Sequence, residues 1–198
     1  MTRHLLLASA IALLAAGCNK APSAPAAADS SAVPPASSIP DANPAATIPT
    51  PANEAAAPDF VQKAAVSDMF EVESSKVALK RSTNSEVKAF ARMMIKAHTQ
   101  TTADLKAAIA KSGQTLLPPS TLPDDKAKAL QDLKDADAKD FDKKFMDAQV
   151  DGHQGALDLM ARYAKDGDVA DIKDFAGKTA PAVQQHLDKA KAIRDALK

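Results

Sequence analysis

The chain contains a single cysteine, Cys18, so no internal disulfide can form even in a compartment that would permit one. It has no excess of either charge, with 25 Lys and Arg against 25 Asp and Glu, and no basic cluster. That balance argues against nucleic acid as a partner, which requires a basic patch or stripe. The alternating charges from Asp124 to Asp147 have the pattern of a solvated helix face. No alternation of β-branched residues occurs, so no sheet is expected. A glycine-rich phosphate loop, a nucleophile elbow and a cysteine nucleophile are all missing after Cys18. These absences lead us to expect a non-catalytic protein.

What is present begins with an address. Arg3 gives a positive start, Leu5 to Leu14 is an unbroken run of apolar and small residues, and Ala15, Ala16 and Gly17 precede Cys18. The run is too short to span a bilayer as a helix and has the layout of a cleavable signal. Ala15-Ala16-Gly17-Cys18 resembles a lipobox, with Ala15 where Leu is usual. That resemblance implies removal of residues 1–17 and lipidation of Cys18 as the mature N-terminus. Each buried methylene contributes about 0.8 kcal/mol, so two or three acyl chains anchor firmly where one does not. Asn19 rather than Asp after the cysteine implies, by likeness to lipoprotein sorting in double-membraned bacteria, the outer membrane with the domain facing the periplasm. The expected partner is the membrane, through Cys18; no protein partner can be named.

Residues 18–58 form the next unit. From Asn19 to Pro58 there are nine prolines, fourteen alanines, five serines and no aromatic residue. Such a segment cannot bury enough apolar surface to offset its ordering entropy, and it reads as a disordered tether extending up to about 3.1 Å per residue. Every Phe and the single Tyr lie in 59–198, which is the right size for one domain.

That domain reads as four long helices. The first is predicted over Asp59–Arg81 with Asp59 as N-cap, and the second from a capping box at Thr83–Glu86 to just before Gly113. Gly113–Pro123 holds three prolines and must be a crossing loop, followed by a short charged helix to about Asp135. The third long helix is predicted over Asp137–Lys165, ended by Gly167, and the fourth over the remainder. Glu86-Val87-Lys88-Ala89-Phe90-Ala91 is echoed by Asp171-Ile172-Lys173-Asp174-Phe175-Ala176. Two similar hairpins joined by a longer crossing segment make an all-α, ferritin-like four-helix bundle.

Several segments carry a family resemblance: Phe60-Val61, Met69-Phe70-Glu71-Val72-Glu73-Ser74-Ser75-Lys76, Val87 to Ala91, His98, His153, and Phe175-Ala176 through Pro181 to His186. Together they resemble the domain-of-unknown-function 4142 family over about Asp59 to Ile193. The resemblance implies an exported or outer-membrane bacterial protein with a ferritin-like fold, and no particular reaction.

Three histidines remain after the signal, one on each of the last three long helices. Val87, Ala91, Met94, His98, Thr101 and Leu105 step by four and three, as do Met146, Val150, His153, Leu157 and Met160, and Val183, His186, Ala190 and Ile193. All three imidazoles therefore face the core near mid-helix. On the first helix Glu73 shares a stripe with Val66, Phe70 and Val77, and a buried carboxylate needs a partner. The expected site is Glu73, His98, His153 and His186, a donor set for zinc, copper or iron. Counted from the turn near Thr83, Glu73 and His98 differ in height by about 7 Å. Asp68 fits better by height but lies at the edge of the polar face, and Glu71 points further outward.

A di-iron oxidase needs Glu-x-x-His, whereas Ile95, Val150 and Val183 stand three residues before these histidines. Gly152 and Gly155, which bracket His153, allow close helix packing or leave room for a ligand. The alternative to metal binding is an envelope interaction or stress module whose histidines only fix the packing.

Overall fold

The computed structural model describes residues 55–197; the signal, Cys18 and all but the last four residues of the expected tether lie outside them. Five α-helices and no strand occur among the described residues: α1 Ala57–Arg81, α2 Ser85–Lys111, α3 Asp124–Asp135, α4 Ala138–Asp166 and α5 Ala170–Ala196.

The helix ends show local chemistry at work. α1 starts two residues earlier than expected because its first turn is capped from a distance: the Ala57 amide donates to Asp168 Oδ1 at 2.9 Å, across the α4–α5 turn. Pro58 in that turn has no N–H to satisfy, and Asp59 lies inside the helix beside its positive end. The cap of α2 is Asn84 rather than Thr83, its side-chain oxygen accepting from the amides of Glu86 and Val87 at 2.8 and 3.3 Å. Beyond α2, Gly113 takes the left-handed conformation at φ 69° that ends many helices. α4 stops at Gly167, where a Cβ would sit 2.6 Å from the Tyr163 carbonyl oxygen.

α1 packs on α2 and α4 on α5, and the two hairpins close on each other through α2 with α5 and α1 with α4. One core cluster joins Ala78 of α1, Val87 and Phe90 of α2, Phe141 and Phe145 of α4, and Leu187 and Ile193 of α5. The other joins Phe60 of α1, Leu105 and Ile109 of α2, Met160 and Tyr163 of α4, and Ile172 and Phe175 of α5. The clusters therefore occupy opposite ends of the bundle. α2 ends where α4 also ends, so the segment between them traverses the bundle and α2 runs parallel to α4. This is the ferritin-like connection.

α3 forms part of that crossing segment and packs against α1 and α4, burying Leu130 and Leu133. Arg81 fixes its far end, donating to the carbonyls of Leu133, Lys134 and Ala136 while its guanidinium lies over the Phe141 ring at 5.1 Å. The echoed motifs occupy equivalent places, with Val87, Phe90 and Ala91 in one cluster and Ile172, Phe175 and Ala176 in the other. Between the two clusters lies a polar layer.

Candidate metal centre

The polar layer consists of buried Asp68, Glu71, Ser74 and Ser75 from α1, His98 from α2, and Gln149 and His153 from α4, joined by half-buried His186 from α5. The seam steps predicted for α2, α4 and α5 carry the three histidines to one place. Each offers a ring nitrogen, and the three nitrogens lie within 4.8 Å of one another. The ring centroids are 5.5 Å apart for His98 and His153, 5.8 Å for His98 and His186, and 5.5 Å for His153 and His186.

Hydrogen bonds decide which nitrogens are available. His98 Nδ1 lies 2.7 Å from Asp68 Oδ1, and Thr102 Oγ1 donates to Asp68 Oδ2 at 3.0 Å. When the ring is neutral, its proton on Nδ1 is donated to that carboxylate and the lone pair is left on Nε2. His153 Nδ1 donates in the same way to the Gln149 carbonyl at 2.8 Å. His98 Nε2, His153 Nε2 and His186 Nδ1 are all buried and have no hydrogen-bond partner. Buried polar atoms are seldom orphaned, and three from three helices in one place form a donor set without an acceptor. A carboxylate or carbonyl behind the ring is the usual support of a metal-binding histidine. Metal–nitrogen bonds of about 2.0–2.1 Å would place the three nitrogens about 3.3 Å apart.

The electrostatics keep two donors unprotonated. Burial, followed by the nearby charge of His98, pulls His153 down to about 3 and His186 down to about 4. His98 goes the other way: burial opposes its charge, but the bond to Asp68 and the charges of Glu71 and Asp68 outweigh it and raise its pKa.

The structure does not bring Glu73 to the histidines. It is half-exposed, bonds Lys76 Nζ at 2.6 Å, and lines the outer part of a groove between α1, α2 and the α2–α3 loop, which also reaches Asp68. Asp68 instead supports His98 from behind. Glu71, expected to face outward, is 2% exposed, with Oε1 3.9 Å from His153 Nδ1. Burial holds its carboxyl up at about 7 against the lowering pull of His98. The stripe Val66, Phe70, Val77 misassigned the inner face of α1. That helix is pressed by α2 on one side and by α3 and α4 on the other; besides Phe60, Val61 and Phe70 it buries a run of small residues, Ala64, Ala65, Ser74, Ser75 and Ala78, with Asp68 and Glu71 between them. The available signal was this run of small residues rather than the large apolar ones.

Gly152 belongs to the same arrangement. A Cβ there would lie 2.8 Å from Glu71 Oε1, so the glycine makes room for the carboxylate; beside Gly155 nothing lies within 4 Å.

The family model described as "Domain of unknown function (DUF4142)" matches residues 42–193. The chain belongs to that family. No curated protein matches the sequence. Among solved structures, the chain is similar to one titled "Crystal structure of DUF305 fragment from Deinococcus radiodurans", at 15% identity and a TM-score of 0.60, covering 75% of this chain and 98% of that one. At that identity the likeness concerns the fold, and it agrees with the ferritin-like helical bundle described above. No described helix is long and apolar enough to cross a membrane.

Proposed function

We propose that this DUF4142 member is a non-catalytic envelope lipoprotein whose bundle binds one transition-metal ion through His98, His153 and His186. The observation that carries the reading is that His98, His153 and His186, from three helices, each offer a ring nitrogen within 4.8 Å of the others, and each has a buried ring nitrogen without a hydrogen-bond partner. Neutral imidazoles suit zinc, copper or iron, and the support of His98 by Asp68 and of His153 by the Gln149 carbonyl orients two of the three rings. Glu73 has no part in this site. The anchor rests on the signal-like start and on Cys18, and Asn19 after it supports sorting to the outer membrane.

Equilibrium dialysis of the purified chain against zinc, copper and iron tests the metal reading. The expected result is one ion per chain for at least one metal, lost in His98→Ala. Thermal unfolding should show the same ion raising the midpoint, since a ligand that binds only the folded state stabilises it. No stoichiometric binding of any of the three metals overturns the reading. Labelling with a radioactive fatty acid in the native host tests the anchor, with incorporation expected in the wild type and absent in Cys18→Ala.

A further inference from the structure

The polar layer has a second opening. A groove of about 520 Å³ runs between α1, α3 and α4, and Glu71 lines it from within. The Glu71 residue is 2% exposed, and its Oε2 is buried without a hydrogen-bond partner. Along this groove α4 presents Gly152 and Gly155, bare backbone with open space beside the second. Phe70 and Leu159 supply apolar wall, and Lys126, with its ammonium 5.5 Å from the centre of the Phe70 ring, stands at the mouth, where exposed Lys63, Arg162 and Asp151 also line the groove.

We propose that this groove is a binding site for a small zwitterion, an amino acid or short peptide with an apolar side chain, whose ammonium meets Glu71 and whose carboxylate meets Lys126 at the mouth. Each feature removes another class of ligand. A bare metal ion would pass Lys126 to reach Glu71, and the other carboxylate on the lining, Asp151, is exposed. An inorganic anion suits the mouth but is repelled at the floor, and a simple amine suits the floor but is repelled at the mouth. A fatty acid answers the mouth and the walls but leaves the carboxylate oxygen unpaired, which is costly in a buried place. A zwitterion with an apolar middle answers all three, through charge-assisted hydrogen bonds at both ends. The inference does not depend on metal binding, because none of the three histidines lines this groove.

The test is amide chemical-shift titration of the metal-free chain, read at Gly152 and Gly155, with three probes: alanyl-leucine, its N-acetyl form without the ammonium, and its amide without the carboxylate. Saturable shifts are expected for alanyl-leucine, with each capped form weaker by about tenfold or more, the effect of losing one charge-assisted contact. Glu71→Gln should abolish the preference for the free ammonium. Lys126→Met, a change at the mouth that leaves the polar layer intact, should reduce the preference for the free carboxylate. The proposal is overturned by absence of saturation up to about 10 mM, a ceiling above the weakest affinities of small-ligand sites. It is equally overturned by equal binding of all three probes to the wild type, or by preferences that survive in both variants.

Discussion

Asp68 and His98 form a buried pair, Oδ1 to Nδ1 at 2.7 Å, that joins α1 to α2 and turns His98 Nε2 toward the other two histidines. The pair fixes the ring orientation, whereas Asp68 itself does not face the cluster. Replacing Asp68 with Asn keeps the shape but removes the charge that makes the ring a stronger donor. Metal affinity of Asp68→Asn is expected to fall by about 10- to 100-fold with stoichiometry unchanged. Competition with a chromophoric chelator measures it, and an unchanged affinity would show that the carboxylate does not act through His98.

The same pair sets the pH dependence of binding. His153 and His186, held down to about 3 and 4, are already unprotonated at neutral pH. His98, with its pKa raised, keeps its proton to higher pH than an ordinary histidine. Metal must displace that proton, so affinity is expected to fall as pH drops below the raised value, by up to about tenfold per pH unit. Calorimetry in buffers of different ionisation enthalpy should record proton release near neutral pH and less of it at higher pH. Release that is constant across that range would contradict the assignment of the proton to His98.

Much of this arrangement was legible in the sequence because it depends on periodicity. Steps of three and four residues placed His98, His153 and His186 on inward seams, and the proline-rich crossing segment between two echoed hairpins implied the ferritin-like connection. The α1 contribution was not legible in the same way. Hydrophobicity alone favoured the Val66, Phe70, Glu73 face, but helix approach is set by size, and the small residues around Asp68 and Glu71 mark where α1 lies against its neighbours. The Asn84 cap, too, depends on which of several neighbouring polar side chains reaches the first free amides.

Glu71 makes the metal-free fold sensitive to pH. Its carboxyl titrates near 7 in the folded chain, against about 4.5 for an exposed Glu. From about 4.5 to 7 the folded state therefore binds more protons than the unfolded one, and this group's contribution to stability declines as pH rises through that window. Glu71→Gln removes the charge and keeps the volume. The variant is expected to be more stable than wild type by about 2–3 kcal/mol at pH 8.5, with a difference of less than about 1 kcal/mol at pH 5. Denaturant unfolding at the two pH values, with chelator present, measures both. A difference that does not grow with pH would mean that the carboxylate is not held in the buried state described.

Gly152 and Gly155 stand three residues apart on α4, and their surroundings predict opposite outcomes for the same substitution. At Gly152 the added methyl would meet Glu71 Oε1 at 2.8 Å, and the carboxylate lies against His153 and cannot move freely, so Gly152→Ala should destabilise by about 1–3 kcal/mol. At Gly155 the methyl would enter open space, and the higher helix propensity of alanine should make Gly155→Ala neutral or stabilising by up to about 1 kcal/mol. Thermal unfolding of the two single variants gives the comparison directly. If both lowered the midpoint equally, the helix would be intolerant of side chains on that whole face. If neither did, Glu71 would not occupy the space that Gly152 leaves, and the reading of that glycine as a cradle for the carboxylate would fall.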